Sequence, residues 1–390
     1  MGRDSRGDPR AVGDFVADAP VGSRDELAAY LALAQLPGIG PGRLRTLVAA
    51  FESAQASLQA PRGAIAALPG FGRAAAASVR TARLENGREI LAEIERLGAA
   101  VLVHGDPRFP LLLREIPDPP VLLYVWGDVS LLSRRAAGIV GSRNHTAYGA
   151  AAARMLALGV ARYAVVVSGM ARGLDAIAHA AALDAGGSSV GVLGNGFGVV
   201  YPAANRELYD RMLAHGCLIT ELPPGERPHA GAFPRRNRLI SGLAGVTVVV
   251  EAAPGSGALI TADCALEQGR TVLAVPGPIT SPTSLGCNKL IQQGAKPALS
   301  AGDILEELGV ECAPTPVRRL GANPPVPPEL TELQQALWRA LQVEAQHVDA
   351  LVAAVGSVGA GTADVLTALT ELELRGVVRQ GAGMVFGLVR

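Results

Sequence analysis

Residues 138–175 read GIVGSRNHTAYGAAAARMLALGVARYAVVVSGMARGLD, and this stretch decides the fold class. The apolar run Gly138-Ile139-Val140 breaks into Gly141-Ser142-Arg143, a helix-like span over 147–162 follows, and a second run, Val165-Val166-Val167, breaks into Ser168-Gly169-Met170-Ala171-Arg172-Gly173. Strands that are apolar throughout, without polar alternation, belong in a parallel sheet covered on both faces, and a helix between two of them makes a βαβ unit. The same rhythm extends outward. Further runs lie at 101–103, 121–125, 190–193, 218–220, 246–250 and 271–275, with helix-like spans at 174–185, 203–214 and 258–268. The expected fold is α/β, an extended Rossmann-like, doubly wound, mostly parallel sheet over residues 99–312.

The flanks read differently. Residues 1–22 mix Gly, Pro, Asp and Arg without periodicity and are expected to be a disordered tail. Residues 23–98 contain a repeat, Leu36-Pro37-Gly38-Ile39-Gly40 and Leu68-Pro69-Gly70-Phe71-Gly72, the h-P-G-h-G pattern of a tandem helix-hairpin-helix or SAM-like module. Glycine there supplies the tight turn and leaves helix-start amides able to meet a phosphate. The cations after the hairpins are few: Arg43, Arg45 and Arg73. A Pro-rich stretch at 313–329 reads as an extended linker. Residues 330–390 give helices, the last near 363–374, then a hairpin over 377–386, which together suggest a winged helix. Its last helix, ADVLTALTELELRG, is acidic, which favours protein docking over DNA reading.

Composition excludes several classes. Lys plus Arg equals Asp plus Glu at 35 each, so any polyanion site must be local. Aromatics are 4%, too few for a row of base-stacking platforms, so phosphate contacts would dominate any nucleic-acid site. Cys217, Cys264, Cys287 and Cys312 form no CxxC pair, and the six histidines show no metal-ligand spacing. No metal and no cofactor are expected. No apolar run is long enough to span a membrane, and the charged start has no signal-peptide core, so the expected location is cytoplasmic.

In open parallel sheets ligands bind at the carboxyl ends of the strands, and that is where small and basic residues gather here. Gly141, Ser142 and Arg143 offer close backbone approach, a hydroxyl and a planar fork for phosphate oxygens. Alone, this is also what an ordinary strand-to-helix turn looks like. Ser168, Gly169 and Arg172 repeat the combination, with Asp175 as a helix N-terminal charge or cap. Leu193-Gly194-Asn195-Gly196-Phe197-Gly198 does not complete a dinucleotide fingerprint, because Val199 stands at the last glycine position. Phe233-Pro234-Arg235-Arg236-Asn237-Arg238 reads as a loop with three guanidinium groups and no acidic partner nearby, ahead of a short helix-like run, 239–243. Ser256-Gly257 opens a helix, and Asn288-Lys289 follows a Pro-Gly-Pro turn.

In this order, IVGSRNHTAYG, SGMARGLDAIAH, VLGNGFGVVYPAAN, ITELPPGERPHAGAFPRRNRLISGL, VVVEAAPGSGALITADCALEQGR and VPGPITSPTSLGCNKLIQQGA resemble the DNA-processing protein family DprA, also called Smf, over residues 25–305. The resemblance implies a domain that binds single-stranded DNA, forms a homodimer, and helps load the RecA recombinase onto DNA covered by single-strand-binding protein in natural transformation. It places a basic pocket on Arg143, Arg236, Asn237 and Arg238, walled by Gly169, Gly257 and Asn288. Gly198 stands where the family usually has Asp, and Ala203 where Lys often follows Tyr-Pro, which makes Arg206 the substitute cation. The expected DNA-binding set adds Phe233, Arg235, Ser256 and Lys289. No catalysis is expected; the alternative is a nucleoside monophosphate hydrolase of a related Rossmann-like family, for which Glu251 is the available acid.

Overall fold

The computed structural model describes residues 23–311, 330–342, 346–356, 359–381 and 383–388. The expected tail, the Pro-rich linker and Cys312 lie outside the described residues. The chain divides into two compact units, Met1–Ala313 and Pro314–Arg390.

The first unit is built on a nine-stranded sheet. Its strands are β1 (Ala99–Val103), β2 (Leu122–Gly127), β3 (Ala136–Val140), β4 (Val165–Ser168), β5 (Ser189–Val192), β6 (Cys217–Thr220), β7 (Val246–Val249), β8 (Thr271–Ala274) and β9 (Lys296–Pro297), in the order β1-β2-β6-β5-β4-β3-β7-β8-β9. All pairs from β6 to β9 are parallel, and β2 joins β6 antiparallel, with β1 antiparallel to β2 beyond it. The eight apolar runs of the sequence are β1 to β8; β9, two residues long and exposed, carries no apolar signal. The central strands are buried along their whole length, as a sheet with helices on both faces requires. One apolar layer gathers Val140, Val167, Val192, Ile219 and Val249; the other gathers Ile139, Val166, Val248 and Leu273. From β3 the chain steps through β4 and β5 to β6, then returns to β7 on the other side of β3. That reversal opens a crevice at the carboxyl end of β3.

Helices Arg24–Ala34, Pro41–Phe51, Ala54–Gln59, Arg62–Ala66, Arg73–Val79 and Leu84–Arg96 pack beside β1 and β2. The two hairpin turns are backbone copies of each other, with Gly38 and Gly70 both at φ 77°. Only glycine adopts this region without strain. Arg43 clips the two turns together: its Nε donates to the Gly70 carbonyl at 2.9 Å, its Nη1 to the Gly38 carbonyl at 2.5 Å, and its guanidinium lies 5.9 Å from the Phe71 ring centroid. Arg45 is likewise engaged, by the Pro119 carbonyl and by Asp118 at 3.3 Å.

The second unit has helices Glu332–Ala340, Val348–Ala354 and Thr362–Leu374 and a three-stranded antiparallel sheet in which Val385–Leu388 lies between Gln346–His347 and Val378–Gln380. This is the winged arrangement expected from the sequence. Leu337, Trp338, Leu351, Val365, Leu369, Leu372 and Phe386 form its core. Two acids of the last helix are occupied within the unit: Glu371 accepts from Gln334 at 2.6 Å and Glu373 from the Gln380 amide at 2.9 Å.

Because Arg43 serves two backbone carbonyls, Arg43→Ala is expected to cost about 1–2 kcal/mol, the net worth of one or two modest hydrogen bonds. Urea denaturation followed by circular dichroism measures it. An unchanged midpoint would show that the clip carries no stability.

Candidate nucleic-acid interface

The carboxyl ends of β3, β4 and β5 surround a pocket of about 280 Å³ lined by Arg143, Gly169, Arg172, Asn195, Tyr201, Phe233 and Arg236, among others. Arg143 is exposed, and its guanidinium sits 5.5 Å from the centroid of the Phe233 ring. Tyr201 packs on the same ring at 5.5 Å with 36° between the planes. A cation held over a π-face keeps its outer N–H groups free for an anion. Arg172 is exposed too, with one long contact, 3.4 Å, to Asn144.

Beneath this rim lies a buried polar network. Arg236 is 6% exposed and donates through Nη1 to the carbonyls of Gly169 and Val192, tying the ends of β4 and β5 together. Gly169 is required there, since a Cβ would lie 2.6 Å from the guanidinium nitrogens. Burial pushes the Arg236 guanidinium down to about 10, with the charge of Asp175 opposing the shift. Asp175, also buried, accepts from the Gly169 amide at 3.1 Å and from the amides of Gly141 and Ala171; burial raises its carboxyl, and Arg236 and these amides oppose the rise. The loop amides expected to cradle a phosphate therefore already hold a carboxylate. His179 completes the network. Its Nε2 accepts from the Met170 amide at 3.3 Å, and its Nδ1 faces Ser189 Oγ at 2.7 Å. The Ser189 hydroxyl proton goes to the Val166 carbonyl at 2.7 Å, so His179 carries its proton on Nδ1 and is neutral. Met170 holds a left-handed φ of 54°, fixed by His179 at its amide and by Asn205 at its carbonyl, 3.0 Å away.

The remaining candidates from the sequence are dispersed. Phe233–Arg238 is not a loop but lies in the helix Ala232–Leu243. Pro234 falls in its first turn, where an amide has no intrahelical acceptor and proline is tolerated. Helical spacing sends the three arginines to different places. Arg235 is exposed, Arg236 is buried, and Arg238 pairs with Glu221 at 2.6 Å and Asp118 at 3.4 Å, so the cluster does have acidic partners. Asn237 donates to the Gly257 carbonyl at 3.1 Å, joining two helices. Ser142 closes its own turn on Asn144, Ser168 donates to the Ile139 carbonyl at 2.7 Å, and Ser256 caps its helix at the Ala258 amide. Asn288 holds both polar groups of Gly277, and with exposed Lys289 it lines a separate groove. Arg206 is exposed at the start of the helix Arg206–His215 and does not line the β3–β5 pocket. Glu251 is buried and accepts from the Thr146 amide at 2.9 Å, Thr146 Oγ1 at 2.6 Å and Thr283 Oγ1 at 3.3 Å. It anchors the start of the helix Ala147–Val160. His179, Asn205 and Tyr201 were absent from the expected set. A single histidine on an apolar helix and an asparagine in Tyr201-Pro202-Ala203-Ala204-Asn205 carry no distinctive signal.

Burial, with Arg236 adding to it, pushes the His179 imidazole down to about 3. The unfolded chain takes up this proton near pH 6.5 and the folded chain does not, so stability is lost as pH falls below that value. Between pH 7 and pH 5 the stability of His179→Gln, whose Oε1 can accept the Met170 amide, should gain about 2 kcal/mol on the wild type. Urea titrations at the two pH values check this. A constant difference would mean that the folded imidazole titrates normally.

The profile of the family described as "DNA recombination-mediator protein A" matches residues 100–309, and that of the DprA winged helix domain matches residues 321–384. DNA processing protein DprA of Bacillus subtilis is 46% identical over 221 residues, which are 56% of this chain and 74% of that protein. Protein Smf of Synechocystis is 33% identical over 93% of this chain and 98% of its own. The X-ray structure of DprA from Streptococcus pneumoniae superposes with a TM-score of 0.63 at 33% identity, covering 75% of this chain and all of that one. With its sheet, its winged unit and its sequence in agreement, the chain belongs to the DNA recombination-mediator protein A family, DprA/Smf.

Proposed function

We propose that the pocket over β3, β4 and β5 binds single-stranded DNA by its backbone, with Arg143 and Arg172 facing phosphate oxygens. The observation that carries this reading is Arg143, exposed yet pre-oriented over the Phe233 ring at the crevice where the strand order reverses. A preordered guanidinium loses little freedom on gripping a phosphate. The paired faces of Phe233 and Tyr201 offer a sequence-tolerant stacking surface for one base. Arg236, in this reading, shapes the floor and adds its charge from below; Gly141, Ser142, Ser168, Gly169, Asn237, Arg238, Ser256, Gly257 and Asn288 support the frame, and Arg206 and Lys289 add field at a distance. The protein acts without catalysis, metal or cofactor, as a homodimer in the cytoplasm. It protects incoming single strands and passes them to the RecA recombinase, displacing single-strand-binding protein. Support for this role comes from membership in a family of recombination mediators.

For single strands, log affinity falls with log salt by about 0.7 per phosphate contact. Arg143→Ala should weaken binding to every sequence alike and make that slope shallower by about 0.7. Arg236→Ala should instead lower stability by about 2–4 kcal/mol, because buried carbonyls and Asp175 lose their partner. Fluorescence anisotropy across a salt series reads the first and urea denaturation the second. A folded Arg143→Ala protein with wild-type affinity and slope would refute the pocket as the DNA site.

A further inference from the structure

A smaller pocket, about 160 Å³, lies where the first hairpin meets the sheet, with Gly40, Pro41, Tyr124, Glu221 and Arg235 on its walls. Three of its features call for an anion. The helix Pro41–Phe51 starts here with no side-chain cap, Pro41 has no N–H, and the amides of Gly42 and Arg43 have no intrahelical acceptor. Tyr124 is fully buried, and its hydroxyl has no hydrogen-bond partner, an arrangement that costs free energy unless a ligand supplies one. Arg235 is exposed and forms no ion pair among the described residues, while the one acid present, Glu221, is neutralised by Arg238 at 2.6 Å. The hairpin's own cation, Arg43, is occupied by carbonyls, so the positive charge available here is that of Arg235.

This pocket shares walls with its neighbours on the side of the proposed DNA cleft. Arg235, Glu221 and Leu222 also line a neighbouring cavity whose other wall includes Gly194 and Arg236, and those two residues line the Arg143 pocket. We propose that the junction pocket is a second phosphate subsite on the same strand, where Arg235, the Tyr124 hydroxyl and the uncapped start of the helix Pro41–Phe51 hold a backbone phosphate that has left the Arg143 cleft. The proposal rests on the single-stranded DNA reading above. It gives the helical module a direct part in binding, through the backbone of the first hairpin beside a tyrosine of β2, and none through the Arg43 side chain.

The test is an anisotropy titration of the full-length protein with oligothymidylates of increasing length, using Tyr124→Phe, Arg235→Gln and Arg143→Ala. For Tyr124→Phe and Arg235→Gln the loss relative to wild type should grow with length, reaching about tenfold for Tyr124→Phe, as for one hydrogen bond to a charged group. Arg235→Gln should also make the salt slope on long strands shallower by about 0.7. Tyr124→Phe should unfold no more easily than wild type, since its hydroxyl has no protein partner to lose, whereas a merely structural tyrosine would show the reverse. Wild-type binding of long strands by both variants, with Arg143→Ala weakened, would overturn the second subsite and leave the cleft intact. Equal losses on the shortest and longest strands would place Arg235 in the cleft itself and overturn it as well. If Arg143→Ala also binds as wild type, both readings fall together.

Discussion

The pocket depends on one buried carboxylate. Asp175 accepts amides from the turns after β3 and β4, and its charge offsets that of Arg236, which binds carbonyls at the ends of β4 and β5. Three strand ends are thus cross-linked by an anion and a cation belonging to the protein. A Rossmann-like crevice ordinarily presents its loop amides to a ligand phosphate. Here that role is taken internally, so an incoming polyanion meets side-chain cations at the rim. This suits a ligand that is long and repetitive: a rim can be shared along a strand, whereas an amide cradle encloses a single terminal group.

The sheet was legible because continuous apolar runs alternating with helices have few alternatives. Eight runs became eight strands, and the return of the chain past β3 fixed where a crevice would open. β9 escaped because two exposed residues joined to a neighbour by backbone bonds leave no apolar trace. The site was half legible. Glycine and arginine at strand ends pointed to the carboxyl edge of the sheet, and the structure has a pocket there with Arg143 on its wall. The helix at 232–243 was misread as a loop because Pro234 looks like a breaker when its place in the first turn is unknown. Once the segment is helical, the 3.6-residue period separates Arg235, Arg236 and Arg238, which adjacency in sequence had grouped. Glu221 and Asp118, the partners of Arg238, lie 17 and 120 positions upstream, and no local pattern could join them.

The helical module teaches the same lesson. Its repeated Leu-Pro-Gly pattern predicted paired turns with left-handed glycines, and both are present. The pattern did not predict that Arg43 of one turn would fasten the other. A cation beside a phosphate-binding motif is informative only after its protein acceptors have been counted.

That distribution of arginines has a kinetic consequence. Charges of both signs balance over the chain, and most cations near the crevice are matched by carbonyls or carboxylates, which leaves Arg143, Arg172 and Arg235 as a short-range positive edge. At physiological ionic strength such an edge is screened within about 8 Å. On the proposed reading, a strand would be drawn in only on near collision, and encounter would proceed without long-range steering. Discrimination between strands would then reside in how long each stays, and competition among nucleic acids for such a site would be governed by residence time more than by capture.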